Sequence, residues 1–129
     1  MSTAQRHTAF LDDPRIIDTI CESDIDFASI KTAPTTIYIV IPDDKLKTYN
    51  RYCRAIIGQA LKELKTPGRG EHHVLFLLDE FARLGHFTPI EENISLVQGY
   101  GIWLWLFLQD LMKCKRYFVK KNAQYAELL

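Results

Sequence analysis

The residues with the most chemical content are two adjacent carboxylates, Asp79 and Glu80, directly after the apolar run Val74-Leu75-Phe76-Leu77-Leu78. A short apolar run of this kind reads as a buried strand, which is a rigid mount for whatever stands at its end. Two carboxylates mounted side by side can divide one task. The first helps to hold Mg²⁺ on the phosphates of a nucleotide, and the second orients or deprotonates an attacking water. Asp79 is then the candidate for the metal, reached through water, and Glu80 the candidate for the base. An acidic pair after an apolar run also arises by chance at the polar end of an ordinary strand. Gln109 adds a third polar group, because it follows the next apolar run, Ile102 to Leu108. An amide there can read a γ-phosphate or hold the lytic water, or it can simply cap the helix that follows.

These groups need a scaffold, and the rest of the chain supplies its parts. Asp13-Pro14 pairs a capping carboxylate with a proline suited to the first helical position, so a short helix is expected from there to about Cys21. Glu22 to Pro34 reads as connection. Thr35 to Ile41 is β-branched and aromatic without clean polar alternation, the pattern of a strand buried on both faces, and Pro42 ends it. Leu46, Tyr49, Cys53, Ile56, Ile57, Ala60, Leu61 and Leu64 fall at three- and four-residue steps and predict one helix that stops near Pro67-Gly68. Thr88-Pro89-Ile90-Glu91 starts another helix, which Gly99 and Gly101 can close. A last helical stretch, Leu111 to Leu129, follows the third strand. The order strand, helix, strand, helix, strand, helix predicts an α/β fold, a parallel sheet with helices on both faces. Ligands in such sheets gather at the carboxyl ends of the strands, where Asp79, Glu80 and Gln109 are expected.

Composition narrows the function classes. The 129 residues are 47% apolar, enough for one globular domain, and the formal charge of zero supplies no global basic field for nucleic acid or a membrane surface. Cys21, Cys53 and Cys114 are odd in number and lack a CxxC pair, which fits buried thiols in a reducing compartment. The N-terminus is polar, without the apolar core of a signal peptide, and the seven residues from Ile102 to Leu108 fall far short of the roughly 20 that span a bilayer. Lys113, Lys115 and Arg116, with Lys120, Lys121, Tyr117 and Phe118, could track the phosphates of a nucleic-acid strand, although such a run is more often the solvated side of a helix. His72-His73 alternate in direction on extended backbone and have no third ligand nearby in sequence. Trp103 and Trp105 share one face of their strand and read as core or interface aromatics.

Four segments together carry a resemblance: Pro34-Thr35-Thr36-Ile37-Tyr38-Ile39-Val40-Ile41-Pro42, Leu77-Leu78-Asp79-Glu80-Phe81-Ala82-Arg83-Leu84-Gly85, Gln98-Gly99-Tyr100-Gly101-Ile102 and Leu108-Gln109-Asp110-Leu111. In order and spacing they resemble the TraG family of type IV secretion coupling proteins, from about Phe10 onward. The resemblance implies a RecA-like P-loop NTPase in which Asp79 and Glu80 match the Walker B acids and Gln109 the glutamine after the following strand. It implies ATP and Mg²⁺ as cofactors and a homo-hexameric motor at the cytoplasmic face of the bacterial inner membrane. That motor would link the relaxosome to the secretion channel and move single-stranded DNA with its relaxase.

The departures are equally definite. The chain contains no GxxxxGKS or GxxxxGKT loop, and Pro67-Gly68-Arg69-Gly70 has no Lys-Ser or Lys-Thr after it. The transmembrane helices and all-helical domain of the family are absent too. Residues 1–129 are therefore expected to be the C-terminal part of the nucleotide-binding domain, a partial RecA-like three-layer sheet, cytoplasmic as this chain and inactive as an ATPase by itself. The alternative is a non-catalytic truncated module that binds relaxase, DNA or a full-length motor subunit.

Overall fold

The computed structural model describes residues 2–65, 71–85, 87–91 and 96–108. Gln109, Lys113, Lys115, Arg116 and the expected helix Leu111 to Leu129 lie outside the described residues. The N-terminal residues form helix α1 (Thr3–Thr8), opened by a capping box between Ser2 and Gln5 that the sequence reading did not pick up. A 3₁₀ turn, Ala9–Asp12, leads into α2 (Pro14–Cys21), which starts where the Asp13-Pro14 signal placed it.

Asp13 does more than cap. Its Oδ1 accepts the Arg15 N–H at 3.0 Å, its Oδ2 pairs with Arg15 Nη2 at 2.8 Å, and the Tyr49 hydroxyl donates to it from the next helix. The Arg15 guanidinium first, and the Tyr49 hydroxyl second, hold the Asp13 carboxyl well below the usual carboxylate range. A carboxyl depressed in the folded state contributes stability above its unfolded pKa, near 4, and loses that contribution as pH falls toward the folded value. The melting temperature of Asp13→Asn is accordingly expected below that of the unsubstituted chain at neutral pH. The gap should narrow on acidification below about pH 4. A gap that stays constant down to about pH 2 would remove Asp13 from this role.

Helix α3 (Asp43–Leu64) covers the predicted periodic stretch and starts three residues earlier than its first apolar position, with Asp43 and Asp44 complementing the dipole in the first turn. It buries Tyr49, Cys53, Ile57, Ala60, Leu61 and Leu64. Burial pushes the Cys53 thiol up. Cys21 is exposed, which corrects the expectation of a buried thiol there, since α2 turns only Ile16 into the core. The connection before α3 holds a 3₁₀ turn, Phe27–Lys31, whose Lys31 is buried at 7% exposure. Lys31 Nζ donates to the Leu64 carbonyl, placing a cation at the C-terminal end of α3.

Strands β1 (Val74–Leu78) and β2 (Ile102–Leu106) pair in parallel, with Val74 opposite Ile102 and Leu78 opposite Leu106. Between them lie a 3₁₀ turn Phe81–Leu84, the four-residue helix α4 (Thr88–Glu91) and a second 3₁₀ turn, Val97–Tyr100, closed by Gly101 in the left-handed region. The described fold is thus α/β with a small parallel sheet. Val74, Phe76, Leu78, Ile102, Leu104 and Leu106 pack toward a core shared with α3, Phe81, Leu84, Phe87, Ile90 and Val97.

Two expectations about this sheet are corrected. Leu75, Leu77, Trp103, Trp105 and Phe107 remain 43–56% exposed, so among the described residues β1 and β2 are packed on one face only. Among the described residues, α3 and the short elements after β1 pack on a single side of the pair. Thr35 to Ile41 is not a ladder strand, and Tyr38 and Val40 are 83% and 85% exposed. Ile41 packs on the core at its C-terminal end, while the segment lacks the ladder bonds that define a strand. No described helix is long and apolar enough to cross a membrane.

Candidate functional site

The two carboxylates stand where the apolar run predicted, at the C-terminal end of β1. The chain turns sharply there. Glu80 has φ 48° and ψ 38°, the one non-glycine residue in the left-handed region among the described residues. That region is unfavourable for a residue with a Cβ, and such conformations persist where the surroundings enforce them. The surroundings here are specific. Asp79 Oδ1 accepts the Glu80 N–H at 2.9 Å, and Arg83 N–H donates to the Glu80 carbonyl at 2.8 Å. Phe81, fully buried, anchors the next residue in the core, and Gly85 at φ 72° ends the turn.

The turn is also tied to the neighbouring strand. Phe107 N–H donates to the Leu78 carbonyl at 3.0 Å, and Phe81 N–H donates to the Phe107 carbonyl at 3.2 Å. The continuation of β2 therefore runs beside the acidic turn. Its Phe107 is two residues before Gln109, which lies outside the described residues.

The carboxylates differ in environment. Asp79 is exposed, and the Glu80 side chain is drawn in to 22% exposure. Glu80 Oε2 lies 2.5 Å from Arg83 Nε, and Arg83 Nη1 lies 3.2 Å from Asp43 Oδ1 at the first turn of α3. Arg83 and Asp43 were not singled out from the sequence. The three-residue spacing of Glu80 and Arg83 was an available signal, but Asp43 is 40 residues away in sequence and only the packing of α3 brings it near. His73, at the other end of β1, faces the Trp103 ring with centroids 5.1 Å apart.

Mg²⁺ prefers oxygen ligands and is commonly held by one or two carboxylates together with substrate phosphates. An exposed Asp79 at a strand end fits that chemistry, and among the described residues no group of three or more His, Cys, Asp or Glu forms a closed metal cage.

Residues 1–126 match the family model described as type IV secretory system conjugative DNA transfer. The chain belongs to that family. It is 28% identical over 127 residues to a conjugal transfer protein TraG of Escherichia coli, covering 89% of this chain and 20% of that protein. It is 32% identical over 102 residues to the protein VirD4 of Rhizobium radiobacter, covering 77% of this chain and 15% of that protein. A probable conjugal transfer protein TraG of Sinorhizobium fredii is 26% identical over 123 residues. The chain spans about a fifth of the length of the TraG relatives. No solved structure gives a significant match.

Proposed function

We propose that this chain is the acid-bearing part of an ATP-driven coupling protein of type IV secretion, the C-terminal portion of its RecA-like motor domain. The observation that carries the reading is the parallel β1–β2 pair with Asp79 and Glu80 at its carboxyl end, beside the continuation of β2 at Phe107, in a member of the conjugative DNA-transfer family. Ligand sites of parallel α/β sheets form at that end. Asp79 contributes to Mg²⁺ binding through water, Glu80 orients or deprotonates the lytic water, and Gln109 contacts the γ-phosphate or that water. Bound Mg²⁺ would neutralise charge developing on the phosphates during hydrolysis. The complete protein is a homo-hexamer at the cytoplasmic face of the bacterial inner membrane that moves single-stranded DNA with its relaxase into the secretion channel. Lys113, Lys115 and Arg116 are candidate contacts to the DNA phosphates.

The test is calorimetric titration with ATP, with and without Mg²⁺, of a polypeptide joining this chain to a phosphate-binding-loop segment. The Mg²⁺-dependent gain in affinity is expected to be present and to shrink in Asp79→Asn. Identical titrations for the two proteins would remove Asp79 from the metal role. The open face of Leu75, Leu77, Trp103, Trp105 and Phe107 favours a second reading, a non-catalytic module that docks on relaxase or a motor subunit, because exposed apolar patches mark interaction surfaces. On that reading the joined polypeptide binds a partner and gains no Mg²⁺-dependent nucleotide affinity.

A further inference from the structure

Arg83 occupies an unusual place between two carboxylates from separate elements. On one side is Glu80, with Nε 2.5 Å from Oε2, and on the other Asp43, with Nη1 3.2 Å from Oδ1. We infer that Arg83 is a positioning residue that fixes the orientation of the Glu80 carboxylate, with Asp43 as its tether to the first turn of α3. The inference rests on Glu80 acting on the lytic water, as proposed above.

Three observations support it. The base of Arg83 is itself fixed, because Phe81 and Leu84 on either side of it in the turn are buried at 0% and 7% exposure. The left-handed backbone at Glu80 and the Arg83 N–H to Glu80 carbonyl bond set both side chains on one tight turn. Finally, α3 is held against the same core by Cys53, Ile57, Leu61 and Leu64, so Asp43 leaves from a rigid element. A flexible glutamate bound to a planar guanidinium loses rotamer freedom in advance of the reaction, and misplacement of a reacting group by about 1 Å can cost about 100-fold in rate. The pair is an unpromising source of stability, since Arg83 is 44% and Asp43 83% exposed and exposed ion pairs contribute little.

The test has two arms. In the 129-residue chain, the Arg83 Nε–H followed by ¹H–¹⁵N NMR is expected to exchange with solvent at least about tenfold more slowly than in Glu80→Ala, as expected for a guanidinium held in an ion pair with a half-buried carboxylate. Equal rates overturn the clamp. In the joined polypeptide, Arg83→Ala is expected to lower kcat about 10- to 100-fold with KM for ATP nearly unchanged, and Arg83→Lys to recover only part, because an ammonium lacks the planar fork. An unchanged or raised kcat in Arg83→Ala, while Glu80→Gln is inactive, overturns the positioning role and leaves the reading of Glu80 standing. Full turnover in Glu80→Gln removes both roles, and slow exchange in the first arm would then mark a purely structural ion pair.

Discussion

Glu80→Gln, in a polypeptide joining this chain to a phosphate-binding-loop segment, is expected to bind Mg-ATP as the unsubstituted protein does and to turn it over roughly 10²- to 10⁴-fold more slowly. The carboxamide has nearly the shape of the carboxylate, so the turn that Asp79, Phe81 and Arg83 enforce should survive. What it loses is the ability to accept a proton from water and the full negative charge that orients it. The expected signature is a fall in kcat with the affinity for ATP retained, the pattern of an interaction realised in the transition state. It is read by steady-state kinetics alongside a binding titration. Equal kcat values would remove Glu80 from the base role. A parallel loss of binding would instead show that the amide disturbs the turn.

The second large effect concerns the fold. Phe81→Ala is expected to destabilise the chain by about 3–5 kcal/mol, the usual range for truncating a buried phenylalanine. Total stabilities of single domains run about 5–15 kcal/mol, so this loss is enough to unfold a marginal one. Phe81 has 0% exposure, lies in the core with Leu61, Leu84 and Ile102, and donates its N–H to the Phe107 carbonyl. It therefore secures the acidic turn to the core and to the extension of β2 together. Urea denaturation of the full chain measures the change through the midpoint, with the slope unchanged if the unfolded ensembles are alike. A shift worth less than about 1 kcal/mol would show that the cavity collapses around the alanine at little cost.

Local signals in the sequence located much of what the structure contains. The Asp13-Pro14 start of α2, the apolar face of α3 from Tyr49 to Leu64, the start of α4 at Thr88, and the runs that became β1 and β2 all depend on neighbours within a few residues. So does the position of Asp79 and Glu80 at a strand end, since an apolar run stops where its polar residues begin. Family membership was legible for a related reason. Its motifs are local strings, and the family model matches residues 1–126.

Burial was read less well, because it depends on what covers a surface and not on the surface alone. Val74 to Leu78 and Ile102 to Leu106 look alike on both faces in sequence, yet among the described residues only the side toward α3 is packed. Thr35 to Ile41 has strand composition, but a ladder requires a partner that its own residues do not specify. The environment of Glu80 belongs to the tertiary structure altogether. Its left-handed turn is enforced by Phe81 entering the core, and the Asp43–Arg83–Glu80 chain exists only because α3 packs beside that turn. The residue types and their spacing determined which groups could do chemistry, since that is set along the chain. Only packing decided which of them meet, because contacts across 40 residues of sequence follow from the shape of the core.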